Sequence, residues 1–174
     1  MTLPTRNSVK ILLMNENKEI LLMCADDPST TSKDGKYHGR FWFPIGGKIE
    51  EGESVQEAAL REIFEETGIT KDNIELGPIV WFGEFDLVLS GKLQHLKEQF
   101  IVGRTKQKNI SLDNLTNEER AVVKHVNWFS LDKIKHSTDV IFPVVLPDYL
   151  PDILAGNYPA QPIEIDLAKQ PEGR

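Results

Sequence analysis

The chain predicts an α/β protein with a mixed sheet flanked by helices. Three observations carry this. Short runs rich in apolar, β-branched and aromatic residues recur along the chain and read as strands. One stretch, Val55 to Thr67, contains neither Gly nor Pro and reads as an amphipathic helix between them. The 174 residues are 40% hydrophobic and 27% charged, the balance of an ordinary globular domain with a sizeable core.

The elements follow in order. Val9–Met14 and Glu19–Cys24 are apolar runs joined by Asn15-Glu16-Asn17-Lys18, a hairpin pattern. Ala25–Gly39 is rich in Asp, Ser, Thr, Gly and Lys and reads as a long polar loop, with Tyr37 and His38 exposed in it. Arg40–Pro44 is aromatic and leads to Gly46-Gly47. Ser54 and Glu57 form the S-x-x-E pattern of a capping box, which starts a helix at Val55. Gly68 suits the left-handed position that ends it. Within it, Leu60, Ile63 and Phe64 form a stripe to bury, on a different side from Glu62, Glu65 and Glu66. Ile74–Val80, Trp81–Ser90, Glu98–Thr105 and Lys124–Phe129 are strand-like. Ser130–Lys135 reads as a short helix capped by Ser130. Val145–Ala155 reads as a last short helix or turn despite Pro147 and Pro151. No repeat, linker or low-complexity tract interrupts this order. One domain is therefore expected over residues 1–174, with a short helical or extended tail from about 145.

Charge and composition narrow the function classes. A net charge of −7 disfavours nonspecific nucleic-acid binding, so no nucleic-acid partner is expected. It leaves room for an anionic small substrate, because a bound metal ion reverses the local sign. The one compact basic run, Arg104, Lys106 and Lys108, reads first as a solvated strand end, with help to a substrate phosphate as the lesser alternative. Cys24 is the sole cysteine, so no intrachain disulfide forms. No apolar segment approaches the roughly 20 residues of a membrane span, and the N-terminal apolar run is too short for a signal-peptide core. The expected location is the cytoplasm. His95, His125 and His136 show no ligand spacing with Cys24 or one another, so no zinc site is expected.

The chemistry concentrates in Gly47 to Ile69, GKIEEGESVQEAALREIFEETGI. Glu62, Glu65 and Glu66 stand at i, i+3 and i+4, which on a helix gathers three carboxylates within about 100° of arc. Like charges so placed repel unless something positive sits among them. Hard divalent cations take such oxygen ligands, and Mg²⁺ commonly adds substrate phosphates. Acidic stripes usually just face water, but this run has a further property. Gly47, Glu53, Arg61, Glu62, Glu65, Glu66 and Gly68, with apolar Ile63 and Ile69, fill every position of the pattern G-x5-E-x7-R-E-U-x-E-E-x-G-U, where U is apolar. At average residue usage that match arises by chance about once in a hundred million windows or more rarely. The chain resembles the Nudix hydrolase superfamily, whose box this pattern is.

The resemblance sharpens the fold to an α/β/α sandwich around a mixed, partly curled sheet. It implies hydrolysis of a nucleoside diphosphate linked to another group X (a nucleotide sugar, ADP-ribose or a nucleoside triphosphate), by water attack at phosphorus with Mg²⁺ or Mn²⁺. By position, it implies that Glu62 and Glu66 ligate metal and that Glu65 either shares the metal or aligns the water. The carbonyl of Gly47 completes the site, and Arg61 holds a glutamate in place. Glu53 hydrogen-bonds the loop, contacts Arg61 or reaches a second metal. The general base lies outside the box, at Glu98, Glu118 or Glu119; Glu98 ranks first because it borders an apolar strand. Substrate-binding residues are not identified by the resemblance, and a homodimer is compatible with it. One departure stands out: Pro44-Ile45-Gly46-Gly47 places Ile where many relatives carry Pro, leaving the loop path open. Trp42, Phe43, Trp81, Phe82 and Trp128 are expected chiefly as core. Two other readings remain. A noncatalytic nucleotide-binding module would tend to lack box glutamates. An isopentenyl-diphosphate isomerase-like enzyme would need cysteine chemistry, which a lone Cys24 in an early strand does not offer.

Overall fold

The structure, a computed structural model, describes residues 3–35 and 38–171. Tyr37 and the side chain of His38, both expected to be exposed, lie outside what is described. Among the described residues, eight strands form one mixed sheet. They are β1 (Thr5–Met14), β2 (Ile20–Ser32), β3 (His38–Pro44), β4 (Gly46–Lys48), β5 (Glu75–Leu89), β6 (Lys92–Arg104), β7 (Val123–Phe129) and β8 (Ile163–Glu164). Four α-helices accompany them: α1 (Val55–Thr67), α2 (Asn117–Val122), α3 (Leu131–Lys135) and α4 (Leu146–Leu154). The strand order is β3-β2-β1-β6-β5-β8, with β4 on β1 and β7 on β2. β1 runs parallel to β6 from Thr5↔His95 to Met14↔Arg104, and the other long ladders are antiparallel.

Alternation along the strands builds the two layers. Val9, Ile11 and Leu13 of β1, with Leu21, Met23 and Ile101, pack against Ala58, Ala59 and Ile63 of α1. Leu12, Met14, Leu22, Cys24, Phe100 and Val102 face the other way, onto Leu146, Leu150 and Ile153 of α4 and Ile134 of α3. β1, β2 and β6 thus each feed two cores, and helices close both faces. Ile63 is fully buried, which contributes about 2–3 kcal/mol relative to exposure.

The polar stretch Ala25–Gly39 departs from the expected loop. β2 continues through it to Ser32, pairing with β3 from Leu22↔Pro44 to Asp27↔Gly39. Beyond a register shift it pairs with β5 at Thr31↔Val88 and Ser32↔Leu87. Composition misleads here because the Asp, Ser and Thr side chains satisfy one another. Asp27 accepts from Ser29 Oγ at 2.6 Å and Thr30 Oγ1 at 2.7 Å, while the backbone joins two ladders. The β2–β5 pairing curls the sheet on itself. Likewise, the two runs Ile74–Val80 and Trp81–Ser90 are one strand, β5. Its register shifts between Leu76 and Trp81, around Pro78, which has no N–H for the ladder. β6 begins at Lys92, well before Glu98. The hairpin between β5 and β6 turns at Ser90 (φ 51°) and Gly91 (φ 79°).

α1 has the ends its sequence predicts. Ser54 Oγ accepts from Glu57 N at 3.0 Å, Glu57 Oε1 accepts from Ser54 N at 3.2 Å, and Gly68 closes the helix at φ 76°. Its faces differ from expectation. Phe64 is exposed, and the buried face is Ala58, Ala59, Glu62, Ile63, Glu66 and Thr67. The acidic stripe therefore enters the protein beside the apolar one. Burying carboxylates is costly unless they are paired or bind a cation, so this placement calls for a compensating charge.

Candidate active site

The site begins at the β3–β4 corner. Ile45, the residue standing in place of Pro, is fully buried under α1, and its carbonyl accepts from Ile11 N at 2.8 Å. That fixes the loop path. Gly46 and Gly47 then pair with Lys10 and Val9. Gly46 has φ 150° and lies so close to β1 that an added Cβ would sit 2.0 Å from the Val9 carbonyl oxygen. Its N–H points at α1 and donates to Glu66 Oε1 at 3.1 Å. Gly47 lies against the next carboxylate: a Cβ there would be 2.5 Å from Glu62 Oε1. The two glycines are what let α1 bring Glu62 and Glu66 down onto the sheet.

The electrostatics follow from this crowding. Glu66 is almost wholly buried, and that burial, reinforced by the facing Glu62, pushes its pKa well above the ordinary value of 4.5. Glu65 is pushed up too, by burial and then by Glu62. Arg61 organises the upper rim. Its Nε and Nη2 grip Glu53 at 2.7 and 2.9 Å. Nη1 donates to Glu62 Oε1 at 2.9 Å and to Glu65 Oε2 at 3.2 Å, and Nη2 also reaches the Lys48 carbonyl at 2.9 Å. The Arg61 guanidinium, together with Glu50 N–H, holds Glu53 at about 2. Glu53 is thus a structural partner of the arginine and the loop.

A third carboxylate completes the cluster. Glu62, Glu66 and Glu119 each place one oxygen within 4.8 Å of the others. An all-oxygen, all-anionic set of this size suits a hard divalent cation, which would supply the missing positive charge. Glu119 is positioned by its own helix start: Thr116 Oγ1 accepts from Glu119 N at 3.1 Å, and Glu119 Oε1 accepts from Thr116 N at 3.1 Å. The signal was present in the sequence as T-x-x-E, the same capping pattern as at Ser54. Glu118, its neighbour, is exposed and lies outside the cluster, and Glu65 stands beside it on Arg61.

Glu98 is placed differently. It is buried on β6, paired with Ser8, and its Oε2 lies 4.0 Å from Lys10 Nζ. Burial raises its pKa, against the pull of Lys10 and Arg6. It lines a cavity of about 910 Å³ that also touches Lys10, Gly46 and Gly47, so the cavity abuts the carboxylate cluster through the glycine pair. Arg6, Ser8 and Lys10 line it as alternate residues of β1, the face opposite Val9 and Ile11. These two cations were legible as a polar i, i+2, i+4 series but carry no motif. The run Arg104, Lys106 and Lys108 is exposed and does not border the cavity. Of the aromatics, Trp42 and Trp81 are core, Phe43 is half-buried at the cavity, Trp128 is half-buried, and Phe82 is exposed.

The family model for the NUDIX domain matches residues 4–147. The chain belongs to the NUDIX family. An m7GpppN-mRNA hydrolase of Xenopus laevis is 30% identical over 132 residues, covering 74% of this chain and 42% of that protein. An oxidized purine nucleoside triphosphate hydrolase of Danio rerio is 29% identical over 114 residues, covering 60% and 62%. The chain thus spans only about half the length of these curated relatives. A solved MutT protein from Methanosarcina mazei Go1 superposes with a TM-score of 0.59 at 26% identity, covering 90% of this chain and 98% of that one. The dihydroneopterin triphosphate pyrophosphohydrolase of E. coli reaches a TM-score of 0.61 at 15% identity, a likeness of fold. The two curated relatives are hydrolases by name, and their named substrates differ. Among the described residues no helix is long and apolar enough to cross a membrane.

Proposed function

We propose that this NUDIX domain is a metal-dependent pyrophosphohydrolase, cleaving a nucleoside diphosphate linked to X by attack of water at phosphorus. The observation that carries the reading is the convergence of Glu62, Glu66 and Glu119 beside a cavity with Arg6 and Lys10 on its wall. Glu62, Glu66 and Glu119 would hold Mg²⁺ or Mn²⁺, with the Gly47 backbone at the same corner. Bound there, a divalent ion would neutralise phosphate charge and lower the pKa of a bound water. Arg61 positions Glu62 and Glu65. Lys10 and Arg6 attract and orient the phosphates. Glu98, whose burial raises its pKa and makes its carboxylate a better proton acceptor than an exposed one, is suited to act as the base, and Glu65 aligns the water.

The cytoplasm and one domain spanning residues 1–174 remain parts of this reading. The isomerase alternative finds no support: Cys24 is fully buried, and burial pushes its thiol up. The named relatives act on capped mRNA and on oxidized purine nucleoside triphosphates, so family membership leaves X open. The test is a panel of ADP-ribose, nucleotide sugars, dinucleoside polyphosphates and nucleoside triphosphates, assayed with Mg²⁺ and with EDTA. At least one is expected to be hydrolysed with Mg²⁺ only. The double variant Glu62→Gln, Glu66→Gln is expected to lose that activity while staying folded. Undiminished activity in the double variant would end the proposal.

A further inference from the structure

We propose that the C-terminal segment from Ile163 to Gln170 is the specificity wall of the cavity, seating an apolar, ring-sized group at the substrate end away from the cleaved phosphates. The inference rests on the pyrophosphohydrolase reading and adds which part of the chain selects X. The family match ends at residue 147, so this segment lies outside it.

The segment is built into the sheet. β8 pairs in parallel with β5 at Trp81↔Ile163 and Phe82↔Glu164, and Ile165 N donates to Phe82 O at 2.9 Å. Ile165 and Leu167 are buried in the core on the α4 face. Asp166 Oδ1 accepts from the N–H groups of Ala168 (3.0 Å) and Lys169 (3.1 Å), fixing the turn that follows. Gly83 on β5 makes room for it. A Cβ there would lie 2.6 Å from Leu167 Cγ and 2.8 Å from the Ile165 carbonyl oxygen. The glycine is therefore a seat for the strap rather than a turn residue.

The strap faces the cavity. Leu167, Ala168 and Gln170 line it, beside Phe85, Leu87 and Leu96. Strand order sets the polarity of this space. Arg6 and Lys10 lie on β1 and Glu98 on β6, while β5 and the strap lie beyond β6. Neighbouring strands are about 4.8 Å apart, so the β5 wall stands roughly 10 Å from the phosphate-attracting β1. That is about the distance from a pyrophosphate to a ring attached through a sugar. Phe85, Leu87, Leu96, Leu167 and Ala168 give this wall an apolar stretch, bordered by Lys33, Asp86 and His95.

Leu167→Ala and Gly83→Val test this. The first trims the wall, and the second displaces the strap. ADP-ribose carries an adenine base, an apolar aromatic ring; phosphoribosyl pyrophosphate has a pyrophosphate and sugar without a base. Leu167→Ala is expected to raise KM for ADP-ribose on the order of tenfold and to leave that for phosphoribosyl pyrophosphate within twofold. Calorimetry in Mg²⁺ with α,β-methylene-ADP, against ringless methylene diphosphonate, reads the same split without turnover, and Gly83→Val is expected to show it more strongly. Thermal melts establish that each variant is folded; should Gly83→Val not fold, Leu167→Ala decides alone. Equal changes for ring-bearing and ringless probes, or none for either, would overturn the proposal. A wild type that hydrolyses neither substrate would count against the pyrophosphohydrolase reading on these substrates, while the calorimetric split would still decide the role of the strap.

Discussion

Gly47→Ala isolates the carboxylate cluster from the fold. Gly47 is outside the left-handed region, so alanine fits its backbone. The three nearest atoms to the new Cβ belong to one side chain: Glu62 Oε1 at 2.5 Å, Cδ at 2.7 Å and Oε2 at 2.9 Å. An ordinary contact is about 3.4 Å, so the carboxylate must retreat by about 0.9 Å. Retreat takes it out of the 4.8 Å grouping with Glu66 and Glu119 and off Arg61 Nη1, now 2.9 Å away. Folding should change by less than about 1 kcal/mol, because reduced unfolded-state entropy offsets the shift. Loss of a positioned ligand should weaken Mg²⁺ binding about 10–100-fold, or about 1.4–2.8 kcal/mol. At a Mg²⁺ concentration of 100 times the wild-type Kd, the ion stabilises the wild type by about 2.7 kcal/mol and a tenfold weaker variant by about 1.4 kcal/mol. The metal-induced rise in Tm should therefore be smaller by roughly 3–5 °C in a chain of this size. Calorimetry in EDTA and in Mg²⁺ measures both quantities. An unchanged metal-induced shift, or an equal loss of stability in EDTA, refutes the placement of Glu62 at the metal.

Arg61→Lys keeps a charge but loses the two-pronged grip on Glu53 and the shared contacts with Glu62 and Glu65, so it should destabilise by about 1–3 kcal/mol in urea unfolding with EDTA. Wild-type stability from lysine would show that guanidinium geometry is unimportant. Two pH limbs are expected without metal. Glu53 has its folded pKa lowered to about 2, so its stabilisation is present above 4.5 and is lost as pH falls towards 2. Glu66 has its folded pKa raised, so its contribution is full below 4.5 and is lost as pH climbs through the raised value. Mg²⁺ should flatten the upper limb, and Glu66→Gln should reduce it, leaving the smaller part due to Glu65 and Glu98; a Tm profile in EDTA that Glu66→Gln leaves unaltered contradicts this. Glu98→Gln should lower kcat at least 100-fold with little change in Tm or Mg²⁺ affinity, whereas Glu119→Gln should weaken Mg²⁺ binding at least tenfold. Near-normal turnover in Glu98→Gln removes it from the chemistry.

Sequence alone determined what is local or motif-bound. The limits of α1 follow from Ser54, Glu57 and Gly68, whose preferences act within a turn of themselves. The β1–β2 hairpin followed from a polar tetrapeptide between two apolar runs: Asn15 Oδ1 accepts from Asn17 N and Glu19 N. Family membership followed from spacing within a single helix and its preceding loop. Tertiary structure alone decided matters that depend on distant partners. The polar stretch after Ala25 is a strand because β3 and β5 offer it ladders, and nothing within it signals them. Phe64 is exposed while Glu62 and Glu66 are buried because the sheet, with its two glycines, lies beneath the acidic side of α1. Glu119 joins the cluster from another helix more than fifty positions away, and Leu167 reaches the cavity only because Gly83 leaves space for it. Short-range hydrogen bonding is written in neighbouring residues, whereas burial and electrostatic compensation belong to surfaces that exist only after the chain has closed on itself.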